Sequence, residues 1–489
     1  MNNFYEIIEK NQKLEKPALV DDLQSISYKD LFVLCNNLSS YLASKKIRKA
    51  DRIAIFLPNS IEFALSFFSC LNIGAIAVPI NPKFKKNEIQ YYINDSNPKL
   101  IITSDTLRTI LLETNNKLEK KIISLKGEEV DLDIFNHKYL GDKLNINSIN
   151  ENDKAIYLYS TGSTGIPKRV TRTHKNLISL ANNHSETVGL DKSEKILFTL
   201  PISHTYALGN FIAAIKSAMT CYLQGDFNRK KVTQIIEKEK ITIYPCVPFI
   251  LDVLAQSNID PKSFKSLKLL ISAGAPLSKE VFDKFSEKFG IHPRQLYGSS
   301  ETGVISINLE KDITSTLGSV GKPVKGVTVK IIKEDGKDAN TNEQGEIIVK
   351  SETMTTGYDN LPEETKEVFK NGFYYTGDLG YVDKNGLIYI NGRKKLIINI
   401  SGNKVDPTEV ENILSSHPKV KEAAVIGISH QSSHESIKAF IVCNEKTEKG
   451  EIIVYLKNKI ADYKIPNIIE FVENIPKSPT GKILRNKLG

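Results

Sequence analysis

Between about residue 50 and residue 300, short runs of β-branched and apolar residues alternate with longer amphipathic stretches. RIAIFL, KLIIT, AIYLYS, KILFTL, CYLQ, ITIYPC and LKLLIS are such runs, and several are separated by helix-like segments such as IEFALSFFSCLNI. Runs apolar on both faces predict buried parallel strands with helices covering both sides of a sheet. The longest apolar stretch, Ala64 to Ile80, is interrupted by Asn72, Gly74 and Pro79 and falls short of the ~20 residues a spanning helix needs. It predicts a buried helix, a glycine turn and a buried strand, with no membrane span.

From about residue 318 the pattern shortens to alternating strands and turns, in GVTVKIIKEDG, GEIIVK and GFYYTGDLGYVDKNGLIYING. These predict a small β subdomain of hairpins. After NGRKK, the stretch DPTEVENILSSHPKVKEAAVIGI predicts a capped helix followed by a strand. The boundary falls near Lys395, between the apolar runs LIYI and LIINI. A chain of 489 residues exceeds the size at which single cores split, so a large N-terminal α/β domain, 1–394, and a small α+β domain, 395–489, are expected.

Composition narrows the class. With 40% hydrophobic and 25% charged residues the chain reads as an ordinary soluble globular protein. Five cysteines, without CxxC spacing and odd in number, point to a reducing compartment and away from a zinc cluster. The opening MNNFYEIIEKNQKLEK has no basic-then-apolar signal pattern and the closing NKLG is no sorting signal, so a cytoplasmic location is expected. The net charge of +9 is spread through Lys-rich segments such as EKEK and KFKK, without an aromatic-interleaved basic stripe. That argues against nucleic acid; a basic cleft for anionic substrates fits as well, and plain solvation fits best.

Candidate chemistry begins at YSTGSTGIPKR, residues 159 to 169. A strand runs into Thr161, Gly162, Ser163, Thr164 and Gly165, whose backbone N–H groups and hydroxyls can wrap phosphate oxygens, with Lys168 as a point charge. The glycines let the backbone approach an anion closely. The spacing is not GxxxxGK[ST] and no helix start follows, so this is not the ordinary P-loop; by composition alone it is equally an ordinary Ser/Thr/Gly loop. YGSSETG puts Glu301 in a glycine-flanked turn, either as an oxygen ligand for Mg2+ or as a surface glutamate. YYTGDLG puts Asp378 in a turn, either to accept from two vicinal ribose hydroxyls or to stabilise the turn itself.

These three motifs, followed by GRKKLIINISGNKVDPTEVE and PKSPTGKILR, occur in the order expected of the adenylate-forming superfamily, which the chain resembles from about residue 20 to its end. That superfamily includes acyl-CoA and aryl-CoA ligases, adenylation domains of peptide synthetases and luciferases, and the resemblance is closest to stand-alone acid–CoA ligases. It implies stacked α/β sheets in the large domain and a mobile C-terminal domain. It also implies activation of a carboxylic acid by ATP and Mg2+ to an acyl-adenylate, with release of pyrophosphate, then transfer to a thiol.

By this resemblance, residues 161 to 165 and Lys168 lie over the β- and γ-phosphates, and Glu301 and Thr161 bind Mg2+. Tyr297 lies against the adenine with Gly274, Ala275 and Pro276 on its other side, Ser300 is near the α-phosphate, and Asp378 and Arg393 hold the ribose. Lys482 corresponds to the catalytic lysine that bridges the substrate carboxylate and the α-phosphate. An ammonium suits that role because it neutralises both anions, and an acid already ionised at neutral pH needs no general base. Lys168 and His204 complete the catalytic set, and Lys395 occupies the hinge about which the small domain turns between the two half-reactions.

LPISHTYALGN matches the stretch lining the superfamily's acyl pocket, with His204 at its gate and Tyr206, Leu208, Gly209, Asn210, Tyr244 and Val247 shaping the rest. Thr205 stands where amino-acid activators carry an aspartate. Without that charge a substrate ammonium would be buried unpaired at a cost of several kcal/mol, which disfavours amino acids. The stretch resembles both aryl-acid activators and hydroxycinnamate ligases, and aliphatic acids of medium or long chain stay open.

Two positions depart from the pattern. Arg169 replaces the glycine usual after the loop lysine, implying a stiffer loop or an extra phosphate contact. Asn399 replaces a lysine common in CoA ligases, on the face that meets the thiol donor. The chain ends seven residues after Lys482, so no fused carrier is expected and the acceptor arrives in trans. The leading expectation is an acyl- or aryl-CoA ligase of fatty or aryl acid metabolism. The alternatives are an enzyme loading the phosphopantetheine of a separate acyl or peptidyl carrier protein, and a silent nucleotide-binding scaffold. The joint presence of Lys168, Glu301, Asp378 and Lys482 counts against the scaffold.

Overall fold

The computed structural model describes residues 3–128, 130–135, 149–160, 167–396, 398–400, 403–429, 435–460, 462–478, 481 and 483–488. A six-stranded sheet has the order Ile122–Lys126, Leu100–Ser104, Arg52–Phe56, Ile76–Pro79, Lys154–Ser160, Lys168–Thr173. Its pairings are parallel until the last strand, which folds back antiparallel on Lys154–Ser160. A second, 14-stranded sheet has a parallel half built from Pro17–Val20, Thr220–Leu223, Lys195–Phe198, Ile243–Cys246, Leu269–Ser272 and Arg294–Ser299. The apolar runs of the sequence become these strands.

Between the sheets lie the helices Ile61–Asn72 and Thr205–Lys216, where Phe68 and Phe211 meet at 5.7 Å. One apolar cluster joins Ile53, Ile55 and Ile156 of the first sheet to Ile196, Phe198 and Cys221 of the second. Every residue of Ile61–Asn72 is buried, which explains a helix apolar almost all round. Its one acid, Glu62, accepts a hydrogen bond from Lys126 at 2.9 Å. The helix, the turn at Gly74 and the strand Ile76–Pro79 follow the reading of the long apolar stretch.

The hairpins after residue 318 are present, but they continue the large sheet rather than stand apart. Antiparallel pairing runs from Arg294–Ser299 through Gly303–Ile307, Ser319–Pro323, Ile388–Arg393, Phe373–Val382 and Gly345–Ser351 to Val327–Ile332. The open edge of the parallel half thus receives the hairpins, leaving them a small core of Ile305, Val320, Ile331, Ile347, Val349 and Ile388.

Past the short turn Lys394–Leu396, residues gather a core of their own around Val410, Leu414, Val425, Ile437, Ile441 and Ile452. Asp406 caps the helix Pro407–Ser415, and Arg485 joins Glu411 of that helix at 2.5 Å. At the opposite end of the chain, Pro17–Val20 pairs in parallel with Thr220–Leu223, Phe4 N donates to His174 Nδ1 at 3.2 Å, and the Tyr28 hydroxyl donates to the Met219 carbonyl at 2.7 Å. No described helix is long and apolar enough to cross a membrane.

Candidate active site

The site is built where the parallel half of the large sheet gives way to its antiparallel half. Arg294–Ser299 and Gly303–Ile307 form a tight hairpin whose turn carries Ser300, Glu301 and Thr302. The hairpin needs glycine at 298, since a Cβ there would lie 2.3 Å from the Gly303 carbonyl oxygen. Arg172, fully buried on the strand that returns from the glycine-rich loop, donates to the Ser300 carbonyl at 2.7 Å and to the Thr353 carbonyl at 3.1 Å. Burial lowers its pKa to about 10 and the Glu301 charge opposes the shift, so the guanidinium stays charged at neutral pH.

Glu301 is no surface glutamate. It is 6% exposed, and its Oε1 accepts a hydrogen bond from the Tyr358 hydroxyl at 2.9 Å. Burial, and then the Glu301 charge, push the Tyr358 phenol above its ordinary pKa, so it remains a donor. The Lys168 ammonium lies 5.0 Å from the centre of the Tyr358 ring and 3.6 Å from Glu364 Oε2. Tyr358 thus touches a cation through its ring and a buried carboxylate through its hydroxyl.

A second network joins three of the predicted residues. Asp378 accepts from the Tyr297 hydroxyl at 2.5 Å and from Arg393 Nε at 2.6 Å. The Asp378 charge raises the Arg393 pKa; burial, and then the same charge, push the Tyr297 phenol up. The expected turn around Asp378 is corrected: it sits inside the strand Phe373–Val382, in register with Arg393. Alternation decides this, because Tyr374, Thr376, Asp378 and Gly380 all face inward.

Thr205, at the start of the helix Thr205–Lys216, ties that helix to the 300–302 turn by donating to Ser300 Oγ at 3.1 Å. His204 is exposed at the N-cap of that helix, its Nδ1 accepting from Tyr206 N at 3.4 Å. The Tyr206 hydroxyl donates to the Ile271 carbonyl at 3.0 Å, while Leu208, Gly209 and Asn210 are buried. Asn210 is held by His184 at 3.2 Å and bonds the Tyr206 carbonyl at 2.9 Å. Tyr244, fully buried, shares a hydrogen bond with Thr199 at 2.9 Å and belongs with Val247 to an apolar cluster separate from that of Leu208; Tyr206 packs against both. Gly274, Ala275 and Pro276 form the loop after Leu269–Ser272, beside the strand that carries Tyr297.

Thr161, Gly162, Ser163, Thr164, Gly165 and Lys482 lie outside the described residues. Lys395 belongs to the turn Lys394–Leu396; its side chain and that of Asn399 are likewise outside them. Arg169 lies on the strand Lys168–Thr173, with its guanidinium turned to protein partners. Its Nη1 donates to the Asp95 carbonyl at 2.8 Å and to the Asp95 carboxylate at 3.1 Å, its Nε lies 3.6 Å from Asp359, and it stacks on Tyr157 at 4.8 Å. The Tyr159 hydroxyl also reaches Asp95, at 2.7 Å, and the Tyr91 hydroxyl reaches the Pro167 carbonyl, at 2.6 Å. Both stems of the glycine-rich loop are thereby fastened to the helix Lys86–Ser96, and the guanidinium is engaged by carboxylates rather than offered to a phosphate.

Sequence reasoning missed Arg172, Tyr358 and Asp95. Arg172 left no signal in the sequence: the strand KRVTRT has one apolar residue, and all four of its central positions are buried.

The AMP-binding enzyme family matches residues 8–359, and the AMP-binding enzyme C-terminal domain matches residues 409–482. A long-chain-fatty-acid–CoA ligase of Mycobacterium tuberculosis, FadD13, is 30% identical over 476 residues, covering 95% of this chain and 92% of the relative. The structure of ATP-bound MatB from Rhodopseudomonas palustris superposes with a TM-score of 0.92 at 26% identity, over 100% of this chain and 98% of the other. That of o-succinylbenzoate CoA synthetase, MenE, from Bacillus subtilis, in complex with its acyl-adenylate intermediate, gives 0.89 at 27% identity, over 100% and 98%.

Proposed function

The chain belongs to the AMP-binding enzyme family, and from that premise we propose how its residues divide the work of an AMP-forming acid–CoA ligase. The enzyme joins a carboxylic acid to CoA by way of an acyl-adenylate. The observation that carries the assignment of roles is the meeting of Tyr297, Asp378 and Arg393 in one network beside a second that joins Glu301, Tyr358 and Lys168.

In our reading the carboxylate of Asp378 receives the ribose hydroxyls, Tyr297 and the 274–276 loop flank the adenine, and Lys168 with residues 161 to 165 holds the departing pyrophosphate. Neutralising charge that develops on the leaving oxygens is the main demand of such a step. Lys482 draws the substrate carboxylate and the α-phosphate together. Glu301 fits Mg2+, which keeps several waters and takes one or two carboxylates together with substrate phosphates, and Thr161 would add a hydroxyl. Bound there, the ion would neutralise phosphate charge. Residues 395–489 form the unit that turns about Lys395 for the thioester step.

The acid we propose is a non-amino carboxylic acid with an uncharged aryl or aliphatic body. Thr205 bonds Ser300 and brings no carboxylate for an ammonium, and Tyr206, Leu208, Tyr244 and Val247 carry no charge. CoA is the favoured acceptor over a carrier protein, since FadD13 is named as a CoA ligase and MenE as a CoA synthetase.

The test is a thioester assay with ATP, Mg2+ and a panel of aromatic and aliphatic acids, offering free CoA in one arm and a pantetheinylated carrier in the other. Product in the CoA arm is expected; adenylate accumulating with CoA but thioester on the carrier would reverse the choice of acceptor. Lys482→Ala should depress pyrophosphate exchange strongly while leaving the fold intact, and unaltered exchange would remove Lys482 from the mechanism.

A further inference from the structure

We propose that Tyr358 is a positioning residue for the phosphate site, fixing through its hydroxyl the orientation in which Glu301 meets a divalent cation. The inference rests on the reading of Glu301 as the metal carboxylate. A glutamate has rotatable bonds that a metal ligand must hold still, and the turn 300–302 by itself supplies nothing to hold them. The Tyr358 hydroxyl, 2.9 Å from Glu301 Oε1, does so from outside that turn. A carboxylate has about four acceptor sites on two oxygens, so one bond at Oε1 restricts its rotation without exhausting its capacity to bind a cation.

Tyr358 is itself held from three sides. Its backbone N–H donates to Thr365 Oγ1 at 3.0 Å, its ring meets Phe369 at 5.9 Å, and it forms an antiparallel bridge with Val170, two residues beyond Lys168. The approach depends on the preceding glycine: a Cβ on Gly357 would lie 2.5 Å from Thr365 Cγ2. Lys168 lies against the same ring, its ammonium 5.0 Å from the ring centre. Tyr358 therefore stands between the carboxylate that would meet the metal and the lysine that would meet the phosphates. A change in its hydroxyl should be felt at the metal and not at the lysine.

Tyr358→Phe keeps the ring and removes the hydroxyl. Binding of a non-hydrolysable ATP analogue is measured by titration calorimetry, once with Mg2+ and once with EDTA, together with thermal melts, on the full chain. The expected result is a loss of roughly tenfold in affinity with Mg2+, the size of one hydrogen bond to a charged group, and unchanged affinity in EDTA. Equal loss in both conditions would mean a merely structural role and overturn the proposal, as would no loss in either. Glu301→Gln is the companion variant. If it abolishes the gain from Mg2+ while Tyr358→Phe leaves that gain intact, the positioning role falls and the metal reading stands; if it too leaves the gain intact, the metal reading falls and takes the proposal with it.

Discussion

Replacing Asp378 by asparagine changes one carboxylate oxygen into an amide NH2 and leaves the shape of the side chain alone. The two donors that face it, Arg393 Nε at 2.6 Å and the Tyr297 hydroxyl at 2.5 Å, respond differently. Arginine cannot accept, so the amide oxygen must turn to Arg393 and the NH2 to Tyr297, whose hydroxyl can rotate and accept. A charged bond becomes a neutral one there, a loss of roughly 1 kcal/mol. The ion pair adds little, because the Arg393 side chain is 44% exposed and solvent-screened pairs contribute only about 0–1 kcal/mol. Folding should therefore weaken by about 1–2 kcal/mol in all. The nucleotide should lose more. With about four acceptor sites the carboxylate can serve both protein donors and still take two ribose hydroxyls, whereas the amide has one acceptor oxygen, already shared with Arg393. Losing one charged hydrogen bond, about 2 kcal/mol, raises the KM for ATP roughly 30-fold. Pyrophosphate exchange at varied ATP, and then at varied acid with ATP saturating, reads this directly. A KM for ATP within about twofold of the parent would refute the ribose contact, since the arithmetic leaves no room for so small a change. An equal rise in both KM values would point to general distortion instead.

Two further predictions concern stability. His174 and His184 are buried, and burial pushes each imidazole down to about 4 from an ordinary 6.5. Folded values below the unfolded ones mean that the folded state carries fewer protons, so their contribution is complete above pH 6.5 and is lost as pH falls towards 4. Denaturation midpoints should slope downward through that window, and a level midpoint would show that the two rings protonate without cost in the folded state. Arg169→Ala should cost about 2 kcal/mol, through the charged bonds to Asp95 and the stack on Tyr157, since Asp359 keeps Lys154 at 3.0 Å and Thr171 at 2.9 Å. Unchanged chemical denaturation in that variant would mean that solvent replaces the guanidinium fully.

The strands were legible because a parallel sheet covered on both faces leaves continuous apolar runs, as in RIAIF at 52–56 and KILF at 195–198. Asp378 was misread for a local reason: a glycine beside an aspartate signals a turn, and that signal outweighed the inward alternation of Tyr374, Thr376 and Asp378. The environment of Glu301 could not be read at all, since its neighbours Arg172 and Tyr358 come from distant strands and loops that only the tertiary fold assembles. Arg169 is the intermediate case. Its departure from the expected glycine was visible in the sequence, while its destination at Asp95 depended on how the helix Lys86–Ser96 packs against the stems of the loop. The hairpins were legible as hairpins but not as an extension of the large sheet, because an open edge exists only once the parallel half has formed.

The pairing of Pro17–Val20 with Thr220–Leu223 also sets a schedule. On the ribosome the first of these strands emerges some two hundred residues before its partner, an interval of about 10–40 s at roughly 5–20 residues per second. Throughout that time Leu19 lacks the Cys221 register it will occupy, and the Tyr28 hydroxyl lacks the Met219 carbonyl. Phe4, Ile7 and Ile8, all buried at the end, travel with it in an incomplete core. Until residue 220 has emerged, this segment therefore exposes apolar surface of the kind that makes incomplete folds prone to aggregate and that chaperones cover.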